Sequence, residues 1–184
     1  MLFVFACFAA TASHAQQFGI RAGMNLANVS ADLDDADLAT DSKAGIQLGV
    51  MGSVPLSGGL HLNGSLLFNQ KGFKMDVLGT EITYNFNYLE IPVNLQYKVD
   101  LSAVKLFVEG GPYFAYALGG KGTLGSDEEE IAWGSGEDEL KRLDSGVGIG
   151  AGLEISKFRV GINYNLGISD MSNVDEEELK NGVF

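Results

Sequence analysis

The chain has one cysteine, three prolines, two histidines and one tryptophan in 184 residues. Cys7 falls in the opening segment Met1-Leu-Phe-Val-Phe-Ala-Cys-Phe-Ala-Ala-Thr-Ala-Ser-His-Ala15. That apolar run ends in small residues and reads as a signal peptide, 1–15, cut after Ala15. A positive n-region is missing, which points to a start further upstream. More apolar residues follow Cys7, so a lipoprotein anchor there is disfavoured. Without the leader the chain has no thiol, which excludes disulfides, thiolate nucleophiles and cysteine-bound metals. His14 leaves with the leader as well. His61 remains beside a tight turn, where an ordinary polar rim residue is the better reading than a catalyst. No later run reaches the ~20 apolar residues of a membrane-spanning helix, and no stretch sustains a 3.6-residue period. Basic residues are scarce too, with 12 Lys and Arg against 24 Asp and Glu and a net charge of −12. Such a surface repels polyanions, so nucleic acid is excluded as a partner.

The acids are not spread evenly. Five Asp lie in 32–41, seven acids in 126–139 and five in 170–178, all in segments between apolar runs. Solvated loops account for them; Asp32-Leu-Asp-Asp-Ala-Asp37 lacks the glycine and distal Glu of a calcium loop. The runs themselves alternate with period two. Phe18, Ile20, Ala22, Met24 and Leu26 oppose Gly19, Arg21, Gly23 and Asn25, and comparable runs begin near residues 46, 60, 82, 104, 147 and 158. In the fourth run the apolar phase passes from Ile82, Tyr84, Phe86 and Tyr88 to Leu89, Ile91, Val93 and Leu95, which predicts a bulge near 88–92 if the apolar face is to stay on one side. An eighth run starts at Lys180.

Connections alternate between tight turns and longer acidic segments. An up-and-down barrel then gathers all long loops at one rim, the layout of outer-membrane barrels. The expected fold class is all-β: an antiparallel up-and-down transmembrane β-barrel of the eight-strand type over 16–184, with the last strand truncated. Too few residues follow 180 for a strand of ~9–11 residues, so the sequence reads as a fragment of a longer gene. With the apolar face outward, the polar face brings Arg21, Glu90, Glu109, Glu154 and Arg159 into one lumen, with many asparagines and glycines. These five form the expected structural charge network, with Glu90 facing Arg21 or Arg159. Small residues suit the crowded interior of an eight-stranded barrel. Phe18, Tyr97 and Phe158 would form one aromatic girdle and Phe68, Tyr84 and Tyr116 the other.

The segments Gly19-Ile-Arg-Ala-Gly-Met-Asn-Leu26, Asn69-Gln-Lys-Gly72, Asn87-Tyr-Leu-Glu-Ile-Pro-Val93, Gly110-Gly-Pro-Tyr113 and Tyr164-Asn-Leu-Gly-Ile168 resemble the PorT-type outer-membrane β-barrel proteins of Bacteroidota. The resemblance implies eight strands, an outer-membrane location and a link to secretion or envelope assembly. No nucleophile with a base, tuned carboxylate pair or metal set stands out. Gly146-Val-Gly-Ile-Gly-Ala-Gly152 lies within alternating strand and opens no helix, so it is not a dinucleotide loop. The expectation is a monomeric, non-enzymatic barrel without cofactor, in contact with outer-membrane lipid and meeting a protein or surface polymer through its acidic loops. The alternative is a soluble lipocalin-like carrier with the apolar face inward.

Overall fold

The computed structural model describes residues 16–32, 41–77, 80–125, 127–134, 141–169 and 178–183. The leader and the acidic segments 33–40 and 170–177 lie outside the described residues. Alternating sequence becomes antiparallel strand throughout: β1 (Gln17–Asp32), β2 (Asp41–Ser57), β3 (Leu60–Val77), β4 (Thr80–Leu101), β5 (Val104–Leu124), β6 (Asp127–Glu130), β7 (Leu143–Ile155), β8 (Phe158–Gly167) and β9 (Glu178–Val183). Each strand of the wall pairs with the next, β4 pairs with β5, and β9 lies between β8 and β1, so the ladder closes on itself. Among the acids read from sequence as solvated loop, Asp127–Glu130 instead form β6, which folds back on Lys121–Leu124 at the end of a lengthened β5.

Tight turns join β2 to β3, β4 to β5 and β7 to β8. Each uses a left-handed residue, with φ of 58° and 87° at Gly58 and Gly59, 63° at Ser102 and 56° at Ser156. At Gly59 a β-carbon would also lie 2.7 Å from the Lys98 carbonyl oxygen, so the turn requires glycine for conformation and for space. The closing strand is short. It meets β1 over Ala27–Asp32 and β8 at Asn165 and Leu166. Below it, among the described residues, β1 from 17 to 26 and β8 from 158 to 164 have no strand partner across the seam.

The apolar face points outward. Phe18 is 81% exposed, Met24 82% and Phe158 79%, and Leu48, Leu62, Leu95, Val108, Ile149 and Ile162 continue the belt around the wall. That rules out the inward-apolar carrier, because a belt of this extent needs an apolar surrounding. Phe18, Tyr97 and Phe158 mark its turn-side edge, and Phe68 and Tyr116 the other.

Two expectations fail at the upper end of β4. The strand does not change phase: Phe86, Tyr88, Glu90, Gln96 and Lys98 are all buried inside, while Leu89, Ile91, Val93, Leu95 and Tyr97 are exposed. The irregularity sits on β5, where Asn87 pairs with Gly119 but Tyr88 pairs with Ala117, leaving Leu118 as the extra residue. Tyr84 therefore belongs to no girdle; its ring stacks on Phe73 at a centroid distance of 4.8 Å. The physical reason is a change of surroundings along the strand. Below Leu89 the outward positions are apolar. Above it they are Asn87, Asn85 and Thr83, and on β3 the paired outward positions pass from Phe68 to Gln70. The wall leaves the apolar layer there, so polarity inverts and apolar side chains turn inward.

Candidate functional site in the barrel interior

The interior is built in tiers by the inward residue of each strand pair. Nearest the tight turns, Lys98 Nζ meets Glu154 Oε2 at 2.8 Å and Arg159 Nη2 meets the same oxygen at 3.0 Å. Glu154 and Arg159 are direct register partners, and the guanidinium lies 5.3 Å from the Phe107 ring centre. One carboxylate thus faces two cations.

In the middle tier Glu109 Oε2 accepts from Asn63 Nδ2 at 3.1 Å and from Gln96 Nε2 at 2.8 Å. Arg21 donates from Nε to Gln47 Oε1 at 3.1 Å. Asn163 bridges the two charges: with its amide oxygen turned toward Arg21 it accepts from Nη2 at 2.6 Å and donates to Glu109 Oε1 at 3.2 Å.

The upper tier holds Lys71 between two carboxylates, 3.1 Å from Glu90 Oε2 and 3.1 Å from Asp144 Oδ2, with all three side chains no more than 1% exposed. Asn69 donates to Glu90 at 2.9 Å and is itself bonded by Asn25. Tyr113 and Ser169 donate to Asp144 Oδ1 at 3.3 and 3.2 Å. The lysine also lies 5.0 and 4.8 Å from the Tyr88 and Tyr113 ring centres. Such a desolvated ammonium gains from both rings and both anions.

Above it, Phe86, Tyr88 and Tyr113 form a buried cluster with Phe73, Tyr84, Ile131 and Trp133 packed against it. Trp133 stands edge-on to Phe86 and Tyr88, with centroids 5.8 and 6.5 Å away. The segment carrying it is tied to β5 by Ile131 N–H donating to the Gly120 carbonyl at 3.1 Å.

All five residues expected in the lumen face it, yet in separate tiers. Glu90 is not joined to Arg21 or Arg159, as the sequence led us to expect; its cation is Lys71. The reason is height. Register places Glu90 opposite Leu67 and Ala115, whereas Arg159 lies beside Glu154 near the opposite end. Three charged members were missed. Lys98 shares the parity of Glu90 and Gln96 and was legible by counting; Lys71 and Asp144 sit beyond the runs of alternating apolar residues, where strand continues but the lipid-facing signal has stopped. His61 stays at the turn-side rim, its Nδ1 3.1 Å from the Gly59 carbonyl oxygen. Among the described residues no group of three or more His, Cys, Asp or Glu gathers as a metal site.

The geometry is thus an antiparallel ladder closed by β9 at the end away from the tight turns, apolar outside and polar within. A family model agrees. Residues 8–173 match the family model of the outer membrane protein beta-barrel domain. Among solved structures the chain is similar to Ail, the attachment invasion locus protein of Yersinia pestis, at 17% identity over 92% of this chain and 94% of that one, TM-score 0.44. It is similar to Neisserial surface protein A at 16% identity over 92% and 97%, TM-score 0.49. OprG from Pseudomonas aeruginosa matches at 15% identity over 92% and 89%, TM-score 0.48. No curated protein matches. On the family match, which spans most of its length, the chain belongs to the outer membrane protein beta-barrel domain family and resides in the bacterial outer membrane.

Proposed function

We propose that this barrel is a non-enzymatic, monomeric scaffold of the PorT type, exported by a leader ending at Ala15, that meets a protein or surface-polymer partner through its acidic loops in secretion or envelope assembly. The observation that carries the reading is the filled interior. An eight-stranded wall leaves room for side chains and little else, and here three polar tiers lie beneath an aromatic cap. A lumen so occupied serves to hold the wall rigid, and the charge available for recognition lies outside it. In β6, Asp127, Glu128, Glu129 and Glu130 are all exposed. Arg21, Glu90, Glu109, Glu154 and Arg159 act as structural residues in this reading, together with Lys71, Lys98 and Asp144.

Planar-bilayer recording combined with cross-linking tests it. Photo-cross-linkers at 127–130 should capture a discrete partner in the native envelope, while the purified barrel shows no large stable conductance. Large open conductance, or cross-linking indistinguishable from that of a turn-side position such as Lys157, overturns the reading.

A further inference from the structure

The middle tier leaves three buried oxygen atoms without partners. Ser53, Asn63 and Gln96 are buried at 2%, 4% and 0% exposure, yet Ser53 Oγ, Asn63 Oδ1 and Gln96 Oε1 have no hydrogen-bond partner among the described residues. Buried polar atoms are almost always satisfied, so such a group calls for a ligand, an ion or a water. Register gathers these residues. Ser53 pairs with Asn63, and Gln96 pairs with Glu109, on four successive strands with all side chains on the inner face. The amide assignments are constrained by chemistry: both Asn63 and Gln96 turn their N–H groups onto the same carboxylate oxygen, Glu109 Oε2. An amide oxygen lies about 2.3 Å from its own nitrogen, so both oxygens fall within roughly 5.5 Å of that carboxylate atom.

Glu109 itself has only neutral amides as direct partners among the described residues; Arg21 reaches it through Asn163. The tier above holds two carboxylates to one lysine, offset by two cations on one carboxylate in the tier below, so the need for a counter-charge is local to Glu109. A single water donates to two of these oxygens and accepts from the Ser53 hydroxyl, whereas a cation also supplies the counter-charge that the amide partners of Glu109 do not. Oxygen-only donors with one carboxylate suit hard ions and not transition metals.

We infer that Ser53, Asn63, Gln96 and Glu109 form an internal site for a small hard cation of the alkali or alkaline-earth class, which binds the folded barrel and ties β2 to β5 from within. Binding to the native state alone raises apparent stability with ligand concentration.

The test is thermal unfolding of the detergent-folded chain, read by heat-modifiability, while sodium or calcium replaces choline at constant ionic strength. The expected result is a saturable rise in midpoint for one of the two ions, with half-saturation on the order of millimolar for a site of low ligand charge. The ion that produces it identifies the occupant. Glu109→Gln should weaken the response by about tenfold or more, and Asn63→Asp, which adds a ligand charge, should tighten it by a similar factor. Asn63→Asp keeps the test informative if Glu109→Gln does not fold. Equal midpoints in sodium, calcium and choline overturn the inference. So does a response that persists unchanged in both variants, which would place the ion on the acidic loops.

Discussion

Replacing Lys71 by methionine removes the ammonium while keeping the length and apolar stem of the side chain. Glu90 and Asp144 then remain, each side chain about 1% exposed, without the cation that lies 3.1 Å from both. Breaking a buried pair from one side typically costs about 3–5 kcal/mol, because the surviving charge stays desolvated. Here two carboxylates survive, and the contacts over Tyr88 and Tyr113 are lost as well. At about 2–4 °C per kcal/mol for a domain of this size, the midpoint should fall by roughly 6–20 °C. The assay is urea or thermal unfolding in lipid vesicles, with the folded fraction read from the heat-modifiable gel band. Lys105→Ala is the comparison: its pair with Asp100 spans 3.6 Å and is exposed at 45% and 72%, so its loss should cost under about 1 kcal/mol. Adding Glu90→Gln to Lys71→Met should recover part of the loss, a coupling of about 0.5–3 kcal/mol. If Lys71→Met unfolds within about 0.5 kcal/mol of the parent, the range of an ordinary surface change, the upper tier does not hold the wall together.

Gly111→Val should lower the unfolding midpoint by about 1–3 kcal/mol in stability, since its β-carbon would lie 2.1 Å from the Val93 carbonyl oxygen and no rotamer relieves a backbone clash; Gly64→Val, with nothing within 4 Å, should leave it unchanged. Trp133, the only tryptophan, packs on the inner cluster, so brominated lipid chains should leave its fluorescence unquenched, whereas a tryptophan at Leu89 in a Trp133→Phe background should be strongly quenched. Equal quenching would sink the assignment of the inner and outer faces of β4. In the β5–β6 hairpin, beyond the apolar belt, the Lys121 hydrogen bond and then its charge hold the Glu128 carboxyl below its ordinary range. The pair's contribution is therefore present above the ordinary carboxylate pKa and is lost as pH falls through the depressed one. Lys121→Ala should move the Glu128 midpoint, followed by NMR, upward toward the usual value. Both side chains are more than half exposed, so the global melting temperature should not move.

Period-two alternation, the placement of tight turns and the sorting of acids into alternate connections determined the barrel, its outward apolar face and its outer-membrane setting from sequence alone, because each is a local consequence of a strand having one face in lipid. Counting parity along β1, β4, β5, β7 and β8 also put Arg21, Glu90, Glu109, Glu154 and Arg159 on the inner face. Pairings between them were a different matter. Parity says which face a side chain occupies, not its height, and height depends on the register of each strand against its neighbours. So Glu90 met Lys71, which it shares with Asp144, not Arg21 or Arg159. The apparent phase change in β4 misled for a related reason. A pattern of apolar residues carries no label for what lies outside the wall, and where the surroundings change from lipid to water the same inward face changes from Glu90 to Tyr88, Phe86 and Tyr84. Only the assembled wall, with Leu118 absorbing the irregularity on β5 and Trp133 brought over from beyond β6, decided that those rings close the lumen and do not girdle the barrel.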